Sequence, residues 1–406
     1  MERIISVFGI IVILTIAFLL SNDKKKINFK MIISGVLLDF TLAVAILKVS
    51  FIEKFFNIIG DGVNKLFQFT GEGSKFLFGD LMNTDKVGFI FAFQILPTIV
   101  FISALMSVLY YYGVMQKVVK WLGFGVKKLL GTSGAETMTA VANIFVGQTE
   151  APLFVKPYIP RMTKSEMLSM MVAGMGSISV GAMAGYVGLG VSATHLITAS
   201  VMSAPAALVI SKIMFPEKEV PETSGVVEIQ SEKTHKTVIE AFSEGTSQGL
   251  MLALNVGAML LAFLALIALV NSILGFVGGL FHFNSLSLSW ILGRIFSPIA
   301  FILGIPSKEV FMAGDLLGQK LVMNEFVSYI SLGEAIKNGT LSARTITIMT
   351  YALCGFANIA SIGIQLGGIG GLAPERKSDL AELGVKALIG GTLVTLLNAA
   401  IIGILV

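Results

Sequence analysis

The chain has 406 residues, of which 55% are hydrophobic and only 13% charged, with a formal net charge of +4. A soluble domain carries about twice that share of charge. At a mean hydropathy of +0.85 the sequence is that of a polytopic integral membrane protein, neither a soluble enzyme nor a nucleic-acid binder.

The first apolar run, 4–21, lacks a small-residue cleavage site and leads into Lys24, Lys25 and Lys26, so it reads as a retained span rather than a signal peptide. A second span is expected over 31–51. The lysines between the two place that loop in the cytoplasm and the N-terminus outside. Asp39 interrupts the second span, where it is expected to make a polar contact with a neighbouring helix. Residues 52–86 mix Phe55, Ile58, Leu66 and Phe69 with Asp61, Lys65 and Glu72, the pattern of a helix lying along the membrane surface. A third span, 87–113, contains Pro97 and ends in an aromatic anchor at Tyr110, Tyr111 and Tyr112. Residues 114–130 alternate Lys117, Lys120, Lys127 and Lys128 with Val118, Trp121, Leu122 and Val126, which predicts a basic amphipathic helix.

The next stretch, Asn143-Ile-Phe-Val-Gly-Gln-Thr-Glu-Ala-Pro152, is the organising one. An ionisable group at membrane depth costs several kcal/mol unless paired, hydrated or facing a cavity. Gly147 and Pro152 disfavour a continuous helix around Gln148, Thr149 and Glu150. A re-entrant hairpin over 134–161 follows, entering and leaving on the cytoplasmic side, where Lys156, Arg161 and Lys164 lie. A fourth span, 165–185, carries Gly174, Gly176, Ser177 and Ser179. A fifth, 192–215, has His195 near its outer end, expected as a satisfied interfacial residue. Residues 216–239, with Pro216, Pro221, Glu228, Lys233 and Lys236, read as a mobile cytoplasmic linker. A long sixth span is expected over 246–281, then an interfacial segment over 284–305.

Residues 306–332 repeat the earlier oddity around Gly314, Gln319 and Glu325. A seventh span, 342–365, is interrupted by Gly355-Phe-Ala-Asn358 and Ser361, and an eighth runs over 384–406. The second part of the chain therefore reads as two copies of one plan, hairpin then interrupted span then ordinary span. With opposite entry sides these are inverted repeats, which place a substrate site at the bilayer midplane.

Two carboxylates (Glu150, Glu325), two carboxamides (Gln148, Asn358) and two hydroxyls (Thr149, Ser361) describe a hydrogen-bond-rich pocket, with Phe356 as an apolar face for a ring. Carboxylates accept paired bonds from vicinal hydroxyls, and amides match a heterocycle edge. No lysine or arginine is counted at the tips, which disfavours anionic substrates. A neutral molecule with a sugar and a base fits best. Concentrating it requires a coupled ion, for which Asn143, Ser177 and carbonyls freed at Val146 and Ile178 supply hard oxygen ligands. Phosphate-loop, HExxH and Cys/His metal motifs are absent from the sequence.

Four ordered motifs, Gly147-Gln-Thr-Glu-Ala-Pro152, Asn324-Glu-Phe326, Gly355-Phe-Ala-Asn-Ile-Ala-Ser361 and Leu372-Ala-Pro-Glu-Arg-Lys-Ser-Asp379, resemble the signatures of concentrative nucleoside transporters. The resemblance covers the chain from about residue 71. It implies an all-α polytopic protein with eight transmembrane helices, two re-entrant hairpins and inverted repeats, working as an elevator and assembling as a homotrimer. It assigns Gln148, Thr149, Glu150 and Phe356 to the nucleobase; Glu325, Asn358 and Ser361 to the ribose; and Asn143, Val146, Ser177 and Ile178 to sodium. The units it implies are peripheral N-terminal helices (1–86), a scaffold helix with the basic amphipathic helix (87–130), the first transport repeat (131–215), linker, scaffold span and external amphipathic segment (216–305), and the second transport repeat (306–406). The expected activity is cation-coupled nucleoside import across the plasma membrane. No cofactor, enzymatic activity or nucleic-acid partner is expected, and proton coupling is the alternative to sodium. An intramembrane enzyme using Glu150 and Glu325 as an acid/base pair is disfavoured, because no nucleophile or metal set accompanies them.

Overall fold

The computed structural model describes residues 1–88, 90–224, 236–281, 283 and 285–406. Every regular element among them is a helix. Glu228 and Lys233 of the expected linker, and Asn284 at the start of the expected interfacial segment, lie outside the described residues.

Helices α1 (Glu2–Leu19) and α2 (Phe29–Lys48) match the first two expected spans, and α3 (Ser50–Phe78) is the amphipathic helix expected after them. The third expected span is not one helix. Short turns at Thr84–Val87 and Phe91–Gln94 precede α4 (Leu96–Tyr111), which carries Pro97 in its first turn. A ring that removes an N–H is tolerated there because first-turn N–H groups have no intrahelical acceptor. The basic amphipathic helix is α5 (Val114–Leu130), bounded by Gly113 and Gly131, both in the left-handed region that favours glycine.

From here the two copies of the plan are visible as element order. The first runs α6 (Gly134–Ala142), a 3-10 arm at Ala151–Arg161, α7 (Lys164–Met175), α8 (Val180–Gly188) and α9 (Ala193–Met214). After α10 (Val238–Leu280) and α11 (Leu288–Ile302), the second runs α12 (Val310–Val322), α13 (Glu325–Asn338), α14 (Ala343–Leu353), α15 (Ile359–Leu372) and α16 (Lys377–Leu405). The return arms differ. Pro157 and Pro160 lie inside Ala151–Arg161, and residues without an N–H cannot sustain an α ladder, so this arm is 3-10 while α13 is a regular helix.

Among the described residues, seven helical stretches are long and apolar enough to cross a membrane, with Phe91–Gln94 and α4 counted as one and α7 and α8 as another. The remaining expected span, the seventh, is the pair α14 and α15, each half too short to cross alone and separated by a break at 354–358. Other bounds move relative to expectation: the sixth span begins at Val238, the seventh ends at Leu372, and the last begins at Lys377, just after a 3-10 turn at Pro374–Arg376. At 43 residues α10 is about 65 Å long at 1.5 Å per residue, twice a bilayer core.

The local sequence fixes the base of the first hairpin. Ser133 with Glu136, and Thr163 with Glu166, form capping boxes that start α6 and α7. The two boxes are joined by Ser133 Oγ donating to Glu166 at 2.5 Å. Lys212 of α9 closes the cluster on Glu136 at 2.7 Å. Thr223, in the linker that follows α9, donates to the same Glu166 and accepts from the Ala135 N–H.

Helices α4 and α10 pack through small residues. A Cβ at Gly245 would stand 2.5 Å from Ser107 Cβ, and one at Gly249 2.8 Å from the Val100 backbone. This is the small-residue spacing that lets membrane helices approach closely. Most of the remaining α10 surface is exposed. Asp39 departs from expectation. It is fully buried in α2, and neither carboxylate oxygen has a hydrogen-bond partner.

Candidate functional site

The two hairpin tips and the two helix breaks converge. At the first tip, the Phe145 carbonyl accepts from Val180 N at 3.2 Å, tying it to the far side of the α7–α8 break. At the second, Glu325 opens α13 behind the N-cap Asn324, whose side chain accepts from Val327 N. The breaks touch each other: Phe356 N donates to the Ser177 carbonyl at 3.1 Å.

Glu325 is buried and held by one donor on each oxygen. Tyr186 donates its hydroxyl to Oε1 at 3.0 Å, and Asn358 donates Nδ2 to Oε2 at 3.1 Å. Asn358 is also the N-cap of α15, its Oδ1 accepting from Ser361 N at 3.0 Å. The carboxylate thus sits at the N-terminus of α13 and against the cap of α15, where helix dipoles favour negative charge. The Tyr186 ring is stacked on Tyr329 with centroids 4.2 Å apart and lies 4.7 Å from Phe326, which fixes its aim. Gly185 leaves room for this packing, since a Cβ there would meet the Phe326 ring at 2.5 Å.

Gln148 bridges the tip of the first hairpin to α15. Its Nε2 donates to Ser361 Oγ at 3.2 Å, and its Oε1 accepts from Gln365 at 3.0 Å. Gln365 also donates to the Met171 carbonyl, so α7, α15 and the first tip meet at one side chain. Ser361 spends its proton on the Phe356 carbonyl at 2.5 Å. Thr149 packs against Gly368, where a Cβ would come within 2.5 Å of Thr149 Cγ2. Glu150 is exposed, and its carboxylate folds back to accept from Gly147 N at 2.5 Å. Its recorded hydrogen bond therefore stays within its own hairpin and does not reach Glu325.

The expected ion ligands are all buried. Asn143 donates Nδ2 to the Thr139 carbonyl at 2.9 Å, while its Oδ1 has no hydrogen-bond partner. Ser177 donates to the Ala173 carbonyl at 2.8 Å, leaving its oxygen lone pairs available. No N–H or O–H of the described residues donates to the carbonyls of Val146 or Ile178. Neutral oxygens without donors are the chemistry an alkali cation needs, so these residues fit one.

Three side chains of this region were not singled out from the sequence. Tyr186 and Gln365 are isolated polar groups in apolar helices, a signal that was readable. Lys320 corrects the expectation that no cation lies near the tips. It is 3% exposed in the last turn of α12 and donates to the Ala352 carbonyl and Thr395 Oγ1, both at 2.8 Å. Its five-residue separation from Glu325 was visible, but not its direction. His195 behaves as expected, with Nδ1 3.2 Å from the Tyr351 hydroxyl.

A model described as the C-terminus of Na+-dependent nucleoside transporters matches residues 195–403. The corresponding N-terminal model matches 8–81, and one described as nucleoside recognition matches 92–193. The chain belongs to the Na+-dependent nucleoside transporter family. Similar proteins include an uncharacterized transporter of Haemophilus influenzae, 46% identical over 100% of this chain and 98% of the relative. Another is the nucleoside permease NupC of Helicobacter pylori, 40% identical over 100% and 98%. The solved structure of CNTnw in an inward-facing substrate-bound state superposes with a TM-score of 0.94 at 43% identity, over 100% of this chain and 98% of that one. The same transporter with two substitutions, in an outward-facing state, gives 0.95. The fold is accordingly that of an elevator-type, multi-pass nucleoside transporter, and the family is one of transporters rather than enzymes.

Proposed function

We propose that this transporter is a sodium-coupled symporter that imports nucleosides across the plasma membrane, with the ribose held at Glu325. The observation that carries the reading is the state of that carboxylate. Each oxygen has one side-chain donor, and an ionised carboxylate offers about four lone-pair sites. Acceptor capacity therefore remains for sugar hydroxyls. Asn358 and Ser361 complete the sugar side, and Gln148, Thr149, Glu150 and Phe356 take the base. A substrate lacking the hydroxyls leaves a buried acceptor unmatched, which gives selectivity by a few kcal/mol.

The ion is cargo alongside the nucleoside. Sodium is favoured over a proton because Asn143 offers an orphaned neutral oxygen beside open carbonyls rather than a titratable group. Residues 131–215 and 306–406 then move as the transport body, with α4 and α10 in the scaffold of a homotrimer. The exposed apolar residues Leu250, Leu254 and Leu261 of α10 suit contact with lipid or a neighbouring copy.

Uptake of a panel of nucleosides into proteoliposomes, under separately imposed sodium and pH gradients, tests the reading. Accumulation driven by sodium alone is expected. Accumulation driven only by protons overturns the ion assignment, and failure to accumulate any nucleoside overturns the substrate assignment.

A further inference from the structure

The two repeats differ in what their tips and breaks present. In the first, the tip and the break present uncharged oxygens, with Asn143 Oδ1 unpartnered and the Val146 and Ile178 carbonyls open. In the second, the carbonyls of the last turn of α14 are all satisfied within the protein. Thr350 accepts from the Tyr329 hydroxyl at 2.8 Å, Tyr351 from Cys354 N at 3.2 Å, and Leu353 from Gly355 N at 2.8 Å. The remaining one, Ala352, accepts from the ammonium of Lys320.

We infer that Lys320 is a tethered cation, which does for the second repeat what a bound ion does for the first: it clamps the hairpin tip to the broken helix and so positions Glu325 and Asn358. Both recorded partners of its ammonium are acceptors, since Thr395 Oγ1 gives its own proton to the Thr392 carbonyl. The ammonium also lies at the C-terminal end of α14, where the helix dipole favours positive charge. Half-helix C-terminal ends are where coupling cations are held in broken-helix transporters. Lys320 makes no direct ion pair with Glu325, yet the two interact electrostatically across the tip. The pair is arranged head to tail: anion at the start of α13 and beside the cap of α15, cation at the end of α14.

Lys320 is thus a positioning residue, acting on the sugar through Glu325, and its role rests on the assignment of Glu325 to the ribose. The test is equilibrium binding of uridine, adenosine and their 2′,3′-dideoxy counterparts to purified Lys320→Met protein, alongside the thermal shift given by sodium without nucleoside. The substitution keeps chain length and removes the charge. Affinity for the ribonucleosides is expected to fall about tenfold or more, as for loss of one charge-assisted hydrogen bond. The dideoxy compounds should lose much less, and the sodium shift should persist. Unchanged ribonucleoside affinity, or an equal loss for both sugar classes, overturns the inference. Should that variant not fold, Thr395→Val removes one acceptor and should give a smaller loss with the same sugar selectivity; a non-selective loss or none overturns it equally. Wild-type protein that binds no nucleoside at all would instead sink the substrate assignment.

Discussion

The backbone N–H of Phe356 donates to the carbonyl of Ser177 at 3.1 Å, joining the break of one repeat to the break of the other. Ser177 belongs to the proposed ion site and Phe356 to the proposed base site. A cation that fixes the α7–α8 break therefore also fixes the backbone from which Phe356 projects. Ser361 follows, because its hydroxyl is donated to the Phe356 carbonyl. Coupling of this kind is reciprocal: sodium must raise nucleoside affinity by the factor by which nucleoside raises sodium affinity.

Asn143→Ala removes the unpartnered oxygen while leaving the tip backbone intact. The sodium concentration for half-maximal uptake should rise about tenfold or more, the scale of one lost ligand to a charged group. Proteoliposome uptake across a sodium titration measures it, and an unaltered sodium curve would remove Asn143 from the ion site.

Glu325→Gln preserves shape but weakens charge-assisted acceptance. Ribonucleoside transport should fall by about a hundredfold, since two bonds to an ionised group are each reduced. The variant should remain monodisperse in detergent with a nearly unchanged melting temperature. Transport at the wild-type rate and affinity would exclude Glu325 from the sugar site.

Gln365→Leu deletes the side chain that orients Gln148 from behind. It also leaves the buried Oε1 of Gln148 without that donor, a cost of about 1–3 kcal/mol. The expected signature is a raised KM with a smaller change in kcat, because Gln365 organises the pocket without being assigned to the substrate. A loss confined to kcat would contradict this.

Asp39→Leu tests the buried carboxyl of α2. Its oxygens lack partners, so an apolar replacement of similar size should stabilise the protein by about 1–3 kcal/mol. A melting curve in detergent reads the effect. A lower melting temperature would show that Asp39 makes a contact the fold depends on.

Much of the scaffold was legible because membrane helices announce themselves by apolar length. The run 114–130 was read with its observed bounds, since lysines at helical spacing and flanking glycines leave little choice. The tips were found through Glu150 and Glu325, which are costly at membrane depth. The division of the third span escaped the reading because apolar composition continues through the turn at Ile95, just before Pro97 in the first turn of α4.

By itself the sequence determined that this chain is a multi-pass helical protein, where the two repeats break, and several of the polar side chains that gather near those breaks. Hydropathy, proline and glycine act locally, and those properties follow from neighbours in the chain. Only the tertiary structure decided that Glu150 folds back on its own hairpin while Glu325 is gripped by Tyr186 and Asn358, and that Lys320 points at Ala352. Such pairings join groups on different helices, and a side chain's direction is set by how those helices pack, which no local pattern encodes.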